Sequence, residues 1–182
     1  MNGGTKGILD KFCIDFCKIT EKHTTYIIVS GFVAISSGRA RATEDIDMII
    51  PRISLNKFEK LHQDLSKKFV CMQSDDFKEI YNDYLKENLS VRYTYKNKSL
   101  PEMEIKIAKD GLDNYQLATK TKLKLTGLGV WFSTIEMNIA FKEEYLKSPK
   151  DLEDARHLRI VYSEDINEDE INKIKKMIKK LR

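Results

Sequence analysis

Cysteine is scarce and poorly placed for cross-linking, with only Cys13, Cys17 and Cys71 in 182 residues. An odd number without CxxC spacing gives neither a disulfide framework nor a zinc knuckle. The three therefore read as small buried hydrophobes. Histidine is as sparse, and His23, His62 and His157 are scattered, so no metal-ligand cluster is recognisable. Three prolines and eight glycines exclude collagen-like and low-complexity architectures. No apolar run approaches the ~20 residues of a bilayer span. A signal-peptide pattern is also missing from the first residues. The expectation is a cytoplasmic chain without a membrane partner.

What is present suits one domain, or a small domain with a helical extension. Hydrophobic residues make up 41% and charged residues 33% of the chain, enough for a core and a wet surface. A net charge of +4 fits an anionic partner but is modest for a dedicated DNA-binding domain.

Periodicity supplies the elements. Ile8, Phe12, Phe16 and Ile19 mark one face of a helix over 6–22. Thr25–Val29 is a short β-rich run ending at Ser30-Gly31, and Phe32–Ser37 reads as a short helix stopped by Gly38. Ile46–Ile50 is a second strand, closed by Pro51, and Leu55, Phe58, Leu61 and Leu65 mark a helix over 55–68. A strand Phe69–Met72 and a charged helix 76–88 follow. Two more strands, Leu89–Tyr95 and Met103–Ala108, turn at Asn97-Lys98. Further on, Ser133-Thr134-Ile135-Glu136 has capping-box spacing for a helix from Ile135 to about Leu146. Ser148-Pro149 starts another helix. The last begins near Asn167, with Ile171, Ile174, Ile178 and Leu181 as a docking stripe and Lys173, Lys176 and Lys180 as a basic one.

The chemistry concentrates in two neighbouring segments. In the first, a hydrophobic strand runs through Ser30-Gly31 into a helix, where free backbone N–H groups favour an anion and the Ser30 hydroxyl adds a donor. In the second, strand alternation puts Asp45 and Asp47 on one face and Ile46, Met48 and Ile50 on the other. Two carboxylates side by side repel by about 4 kcal/mol at 4 Å and an effective dielectric near 20. Such a pair is comfortable at a solvated strand end, or with a divalent cation between its members. Magnesium takes one or two carboxylates plus the substrate's phosphates.

Strand, Ser-Gly, short helix, thirteen-residue spacer and Asp-Ile-Asp on a neighbouring strand together resemble the nucleotidyltransferase superfamily related to DNA polymerase beta. That family's motif has Gly-Gly or Gly-Ser where this chain has Ser30-Gly31. Downstream, Ile135–Lys142 and Ser148–Asp154 resemble the later motifs of its AbiEii-like branch, which includes nucleotidyltransferase toxins of abortive-infection systems. The similarity spans about residues 25–158.

The resemblance implies an α+β nucleotidyltransferase fold: a small mixed sheet flanked by helices, with a core over 1–130 and a helical extension over 131–182 packed on it. It implies an enzyme that transfers a nucleoside monophosphate from a nucleoside triphosphate to a hydroxyl on RNA or tRNA, a protein or a small molecule. A toxin-like role would bring an antitoxin partner. Asp45 and Asp47 would hold Mg²⁺ or Mn²⁺; Ser30, Gly31, Arg41 and Thr43 would line the nucleotide site; Lys142 would neutralise the triphosphate and Asp151 would hold that lysine. A third carboxylate, acting as base and metal ligand, is expected on an adjacent strand. Glu102 and Glu104 share the face opposite Met103, Ile105 and Ile107, and Glu104 is the mid-strand choice. The alternative is a non-catalytic protein of the same fold that binds nucleotide or a partner chain.

Overall fold

Strand β2 (Asp45–Ile50) is the axis about which the molecule is arranged in the computed structural model, which describes residues 7–182. On one side β2 pairs antiparallel with β1 (Ile27–Val29), and on the other it pairs parallel with β5 (Glu102–Ile107). Antiparallel β4 (Val91–Tyr95) and β3 (Phe69–Cys71) complete a five-stranded sheet of order β1-β2-β5-β4-β3. The fold is α+β, a mixed sheet flanked by helices. The strand opposite each residue of β2 is fixed by register, with Val29 and Glu104 both beside Asp47.

Alternation along these strands separates two interiors. Ile28, Ile46, Met48, Ile50, Met103 and Ile105 point into the large core with helices α1 (Ile8–Thr20) and α3 (Leu55–Leu65). Ile27 and Ile49 point the other way and form a small apolar cluster with Ala108 and with Leu117 of helix α5 (Gly111–Ala118). The charged half of that second face, from Asp45 to Lys106, is left open. On the outer edge of β1, Ile28 N–H donates to Trp131 O (2.8 Å) and Ser133 N–H donates to Ile28 O (3.0 Å), which satisfies an otherwise exposed strand edge.

Several elements depart from the sequence pattern. The start of α1 expected at residue 6 lies outside the described residues, and its buried face is Phe12, Cys13, Phe16 and Cys17, while Ile8 is 74% exposed. The expected 76–88 helix is a single α-turn, α4 (Phe77–Glu79), that continues as a π-helical segment over Ile80–Leu85. The α5 helix, capped by Asp110, falls in a stretch where periodicity gave nothing. Helix α6 (Ile135–Phe141) is capped by Thr134, which accepts from Met137 N–H, because the Ser133 hydroxyl already accepts from Asn138 Nδ2. After Phe141 the helix widens into a π-helical turn, Lys142–Leu146, closed by Lys147 N–H to Lys142 O.

Helix α7 (Pro149–Val161) has Ser148 as its N-cap, and α8 (Glu168–Leu181) has Asn167. Ile171, Ile174 and Ile178 are buried in the large core, whereas Leu181 stays 44% exposed. None of the described helices is long and apolar enough to cross a membrane.

The α1 face gives a stability test. Phe16 is fully buried, with its ring centroid 4.9 Å from that of Phe69 and 5.7 Å from that of Tyr93. Phe16→Ala should cost about 3–5 kcal/mol in urea unfolding, and Ile8→Ala less than about 0.5 kcal/mol. Equal costs would mean that α1 packs on a different face.

Candidate active site

The turn from β1 into helix α2 (Gly31–Ser36) is strained. Ser30 has φ 68° and ψ −139°, a region that non-glycine residues rarely adopt. The next position needs glycine for a different reason: a Cβ on Gly31 would stand 2.4 Å from Arg41 Nη2. The guanidinium of Arg41 lies against the bare backbone of Gly31. The family order Gly-Ser would place the free backbone where it is strained and a side chain where there is no room.

Arg41 is held there by Asp154 on α7. Its Nε and Nη2 donate to the two carboxylate oxygens at 3.0 and 2.8 Å, and Asp154 is completely buried. Lys142 Nζ, itself 1% exposed, donates to Asp154 Oδ2 at 3.0 Å and to Asp151 Oδ1 at 3.3 Å. A third cation, Arg39, places its Nε 3.5 Å from Asp154 Oδ1, as a buried donor without a hydrogen-bond partner among the described residues. Burial pushes the Asp154 carboxyl up, but the bonds from Arg41 and Lys142 outweigh it and hold it below its ordinary value. Asp154 is not among the site residues expected from the sequence. Nothing in the local pattern reveals that two arginines more than a hundred residues earlier converge on it.

Asp45 and Asp47 stand on the open face of β2, as alternation requires. Thr43 hydroxyl donates to Asp45 Oδ1 at 2.9 Å. Asp47 Oδ1 accepts from Lys106 Nζ at 3.3 Å, and the same ammonium lies 2.7 Å from Glu104 Oε1. Arg92 Nε donates to Glu104 Oε2 at 3.2 Å and lies 3.6 Å from Glu102. Burial raises the Asp47 carboxyl above its ordinary value; Lys106 opposes this, while Glu104 and Asp45 reinforce it. For Glu104 burial also pushes up, but Lys106, Ser90 and Arg92 prevail and lower it. Burial pulls Lys106 down, and Asp47 and Glu104 more than restore it. Lys106 was not singled out in the sequence, although alternation from Glu102 and Glu104 leads straight to it.

Two adjoining cavities meet at Asp47. The smaller, about 260 Å³, is lined by Ser30, Gly31, Arg41, Thr43, Asp45, Asp47, Ser148, Lys150 and Asp151. The larger, about 290 Å³, shares Ser30 and Asp47 and extends past Lys106 and Lys142 to an apolar wall that includes Met137, Phe141 and Tyr145. Of the residues expected at the site, Glu104 alone lines neither; it reaches the larger one through Lys106. Asp45 and Asp47 offer the hard oxygen donors that Mg²⁺ or Mn²⁺ takes when the remaining ligands are phosphate and water. Among the described residues no three His, Cys, Asp or Glu side chains form a complete protein cage. The donor set fits an ion that arrives with its polyphosphate.

No family model matches the chain, and no curated protein matches it in sequence. Solved structures match it in shape. The antibiotic-resistance factor ANT(2'')-Ia is 14% identical with a TM-score of 0.55, over 94% of this chain and 93% of that one. An antigenic nucleotidyltransferase-like protein from Paracoccidioides brasiliensis is 17% identical with a TM-score of 0.55, over 95% and 88% respectively. With the sheet order above, these similarities show that the chain has the nucleotidyltransferase fold.

Relieving the turn should stabilise the protein. Ser30→Gly is expected to raise unfolding free energy by about 1 kcal/mol, the strain of 1–3 kcal/mol less the extra chain entropy of glycine; a drop in the urea midpoint would show that the Ser30 side chain carries a stabilising contact.

Asp154→Asn should cost about 3–5 kcal/mol near neutral pH, because Arg41 and Lys142 lose their buried counter-charge. A carboxylate with a depressed native pKa contributes its stability in full above the unfolded value near 3.9 and loses it as pH falls through the native one. Denaturation midpoints should therefore fall more steeply with acid for the wild type than for Asp154→Asn, below about pH 4. Parallel curves would remove Asp154 as the source.

Proposed function

We propose that the chain is a metal-dependent nucleotidyltransferase that moves a nucleoside monophosphate from a nucleoside triphosphate to an acceptor hydroxyl. The observation that carries this reading is the position of Asp47 in the wall common to both cavities, beside Asp45 and across from Ser30. The smaller cavity has the donors for a triphosphate: the Ser30–Gly31 turn, Arg41 and Lys150. The larger, with its apolar wall and the side-chain amides of Gln116 and Asn138, has the character of a site for an organic substrate. The likeness of residues 135–154 to the AbiEii-like motifs supports the same reading.

Mg²⁺ or Mn²⁺ held by Asp45 and Asp47 would screen the triphosphate and polarise the α-phosphate. The protein's own groups orient and neutralise. Ser30 and Gly31 hold phosphate oxygens, and Arg41, fixed by Asp154, keeps its charge beside them. Lys142 adds positive potential from the wall of the larger cavity, where it costs no reorganisation during the reaction because Asp151 and Asp154 already fix it. The acceptor oxygen forms a bond to the α-phosphorus while the α–β bridging bond breaks. Pyrophosphate departs with the bridging oxygen. The hydroxyl proton would pass to Glu104 by way of the Lys106 ammonium, which lines the larger cavity and gives a proton to Glu104 as it takes one from the acceptor.

Three measurements test this. Nucleoside triphosphate binding, followed by calorimetry, should be lost in EDTA and restored by Mg²⁺ or Mn²⁺. Each labelled triphosphate, incubated with total RNA, with an aminoglycoside and with the protein alone, should transfer label to one of the three. Asp47→Asn should melt at or slightly above the wild-type temperature, since it removes a burial-raised carboxyl, yet transfer should fall by at least about two orders of magnitude. Transfer at the wild-type rate would eliminate Asp47 from the reaction.

A further inference from the structure

The resting site already contains a cation between two of its carboxylates. β5 carries Glu104 and Lys106 on the face that Asp47 occupies in β2, and Glu104 is directly opposite Asp47. Lys106 Nζ bridges the two, 3.3 Å from Asp47 Oδ1 and 2.7 Å from Glu104 Oε1. The other oxygen of Glu104 is taken by Arg92 Nε at 3.2 Å. Both Glu104 oxygens therefore face fixed positive charges. By contrast, Asp45 Oδ2 and Asp47 Oδ2 make no hydrogen bond or ion pair among the described residues, and they lie on the same strand face toward the smaller cavity.

We propose that the Lys106 ammonium stands where a second divalent ion would bridge Asp47 and Glu104, so that the site takes one divalent ion and supplies the other positive charge itself. The inference rests on the transferase reading of this site. Sites that clamp two ions hold them about 3.5–4 Å apart, shared between carboxylates. A magnesium ion needs oxygens at about 2.0–2.1 Å in a near-octahedral set. Between Asp47 and Glu104 it would have to displace an ammonium that both carboxylates hold, and it would find Glu104 still engaged by Arg92. Asp45 and the free oxygen of Asp47 meet no such obstacle. They accommodate the ion that travels with the triphosphate.

The placement gives Lys106 a function that a surface ion pair lacks. Its side chain is 45% exposed and forms part of the larger cavity's wall beside Asp47. An acceptor hydroxyl entering there meets the ammonium before it meets the phosphate. The N–H donors of Lys106 stabilise the oxygen as its proton passes to Glu104 and it bonds to the α-phosphorus, with pyrophosphate leaving as before. A lysine is a compact point charge on a flexible stem, suited to following an oxygen whose charge grows.

The number of bound ions decides it. Manganese would be titrated into the protein with a saturating α,β-methylene analogue of the triphosphate that binds, and free Mn²⁺ would be read by electron paramagnetic resonance. The wild type is expected to retain one Mn²⁺ per protein–nucleotide complex. Lys106→Met and Lys106→Gln, checked for a wild-type melting profile, are expected to retain two, because Glu104 and Asp47 then lose their resident cation. Two ions in the wild type would overturn the proposal whether or not the variants fold. One ion in a folded variant would overturn it as well. A wild type that binds no nucleotide under any metal condition would bring down the transferase reading itself, whereas a count of two leaves that reading standing and removes only the role of Lys106.

Discussion

The bidentate pair between Arg41 and Asp154 is the contact on which the site depends. It joins the connection between α2 and β2 to α7, across 113 residues of sequence, with Asp154 fully buried and Arg41 largely so. Such a pair is an expensive way to hold two helices together, since removing both ions from solvent offsets most of their attraction. Its return is positional. With Asp154 fixed, Arg41 must lie over Gly31 and Lys142 must turn inward from the end of α6. The backbone of one motif and the lysine of another are thus placed by a residue that lines neither cavity.

The second organising constraint is the alternation of β2. One face, Ile46, Met48 and Ile50, belongs to the large apolar core, and the other carries two carboxylates into a polar cavity. The low-dielectric floor beneath Asp47 makes its charge costly, and so magnifies whatever cation comes near it. Lys106 meets part of that demand in the resting protein. The opposite displacements of Asp47 and Glu104 follow from this: burial dominates at Asp47 and raises it, whereas at Glu104 burial is outweighed by Lys106, Ser90 and Arg92.

Much of this was legible in the sequence because period-two and capping signals are local. The Asp-Ile-Asp strand, the Ser30–Gly31 turn and the Ser148 and Asn167 caps each follow from a handful of adjacent residues. What escaped notice was non-local. The partners of Asp154 arrive from another part of the chain. Lys142, the first residue of the π-helical turn, is fully interior because Asp154 and Asp151 draw its ammonium inward, and both belong to a later helix. Ile8 and Leu181 kept the helical spacing yet lie beyond the reach of the core, where periodicity cannot report that there is nothing left to pack against. Lys106 was within reach: the alternation that pairs Glu102 with Glu104 includes it, but a lysine on a strand reads as solvent-facing until its neighbours across the sheet are known.

The contact between Arg41 and Gly31 also restricts how this motif can change over generations. An ancestor or descendant with a side chain at position 31 needs Arg41 to have moved or shrunk first, and a smaller residue there strands Asp154 among its remaining cations. Of the two changes that separate Ser-Gly from Gly-Ser, Ser30→Gly relieves a strained turn, whereas a side chain at position 31 must await a change at Arg41. Change at position 31 is thus epistatic on position 41, and a side chain there is closed to the chain while Asp154 pins Arg41 over the turn.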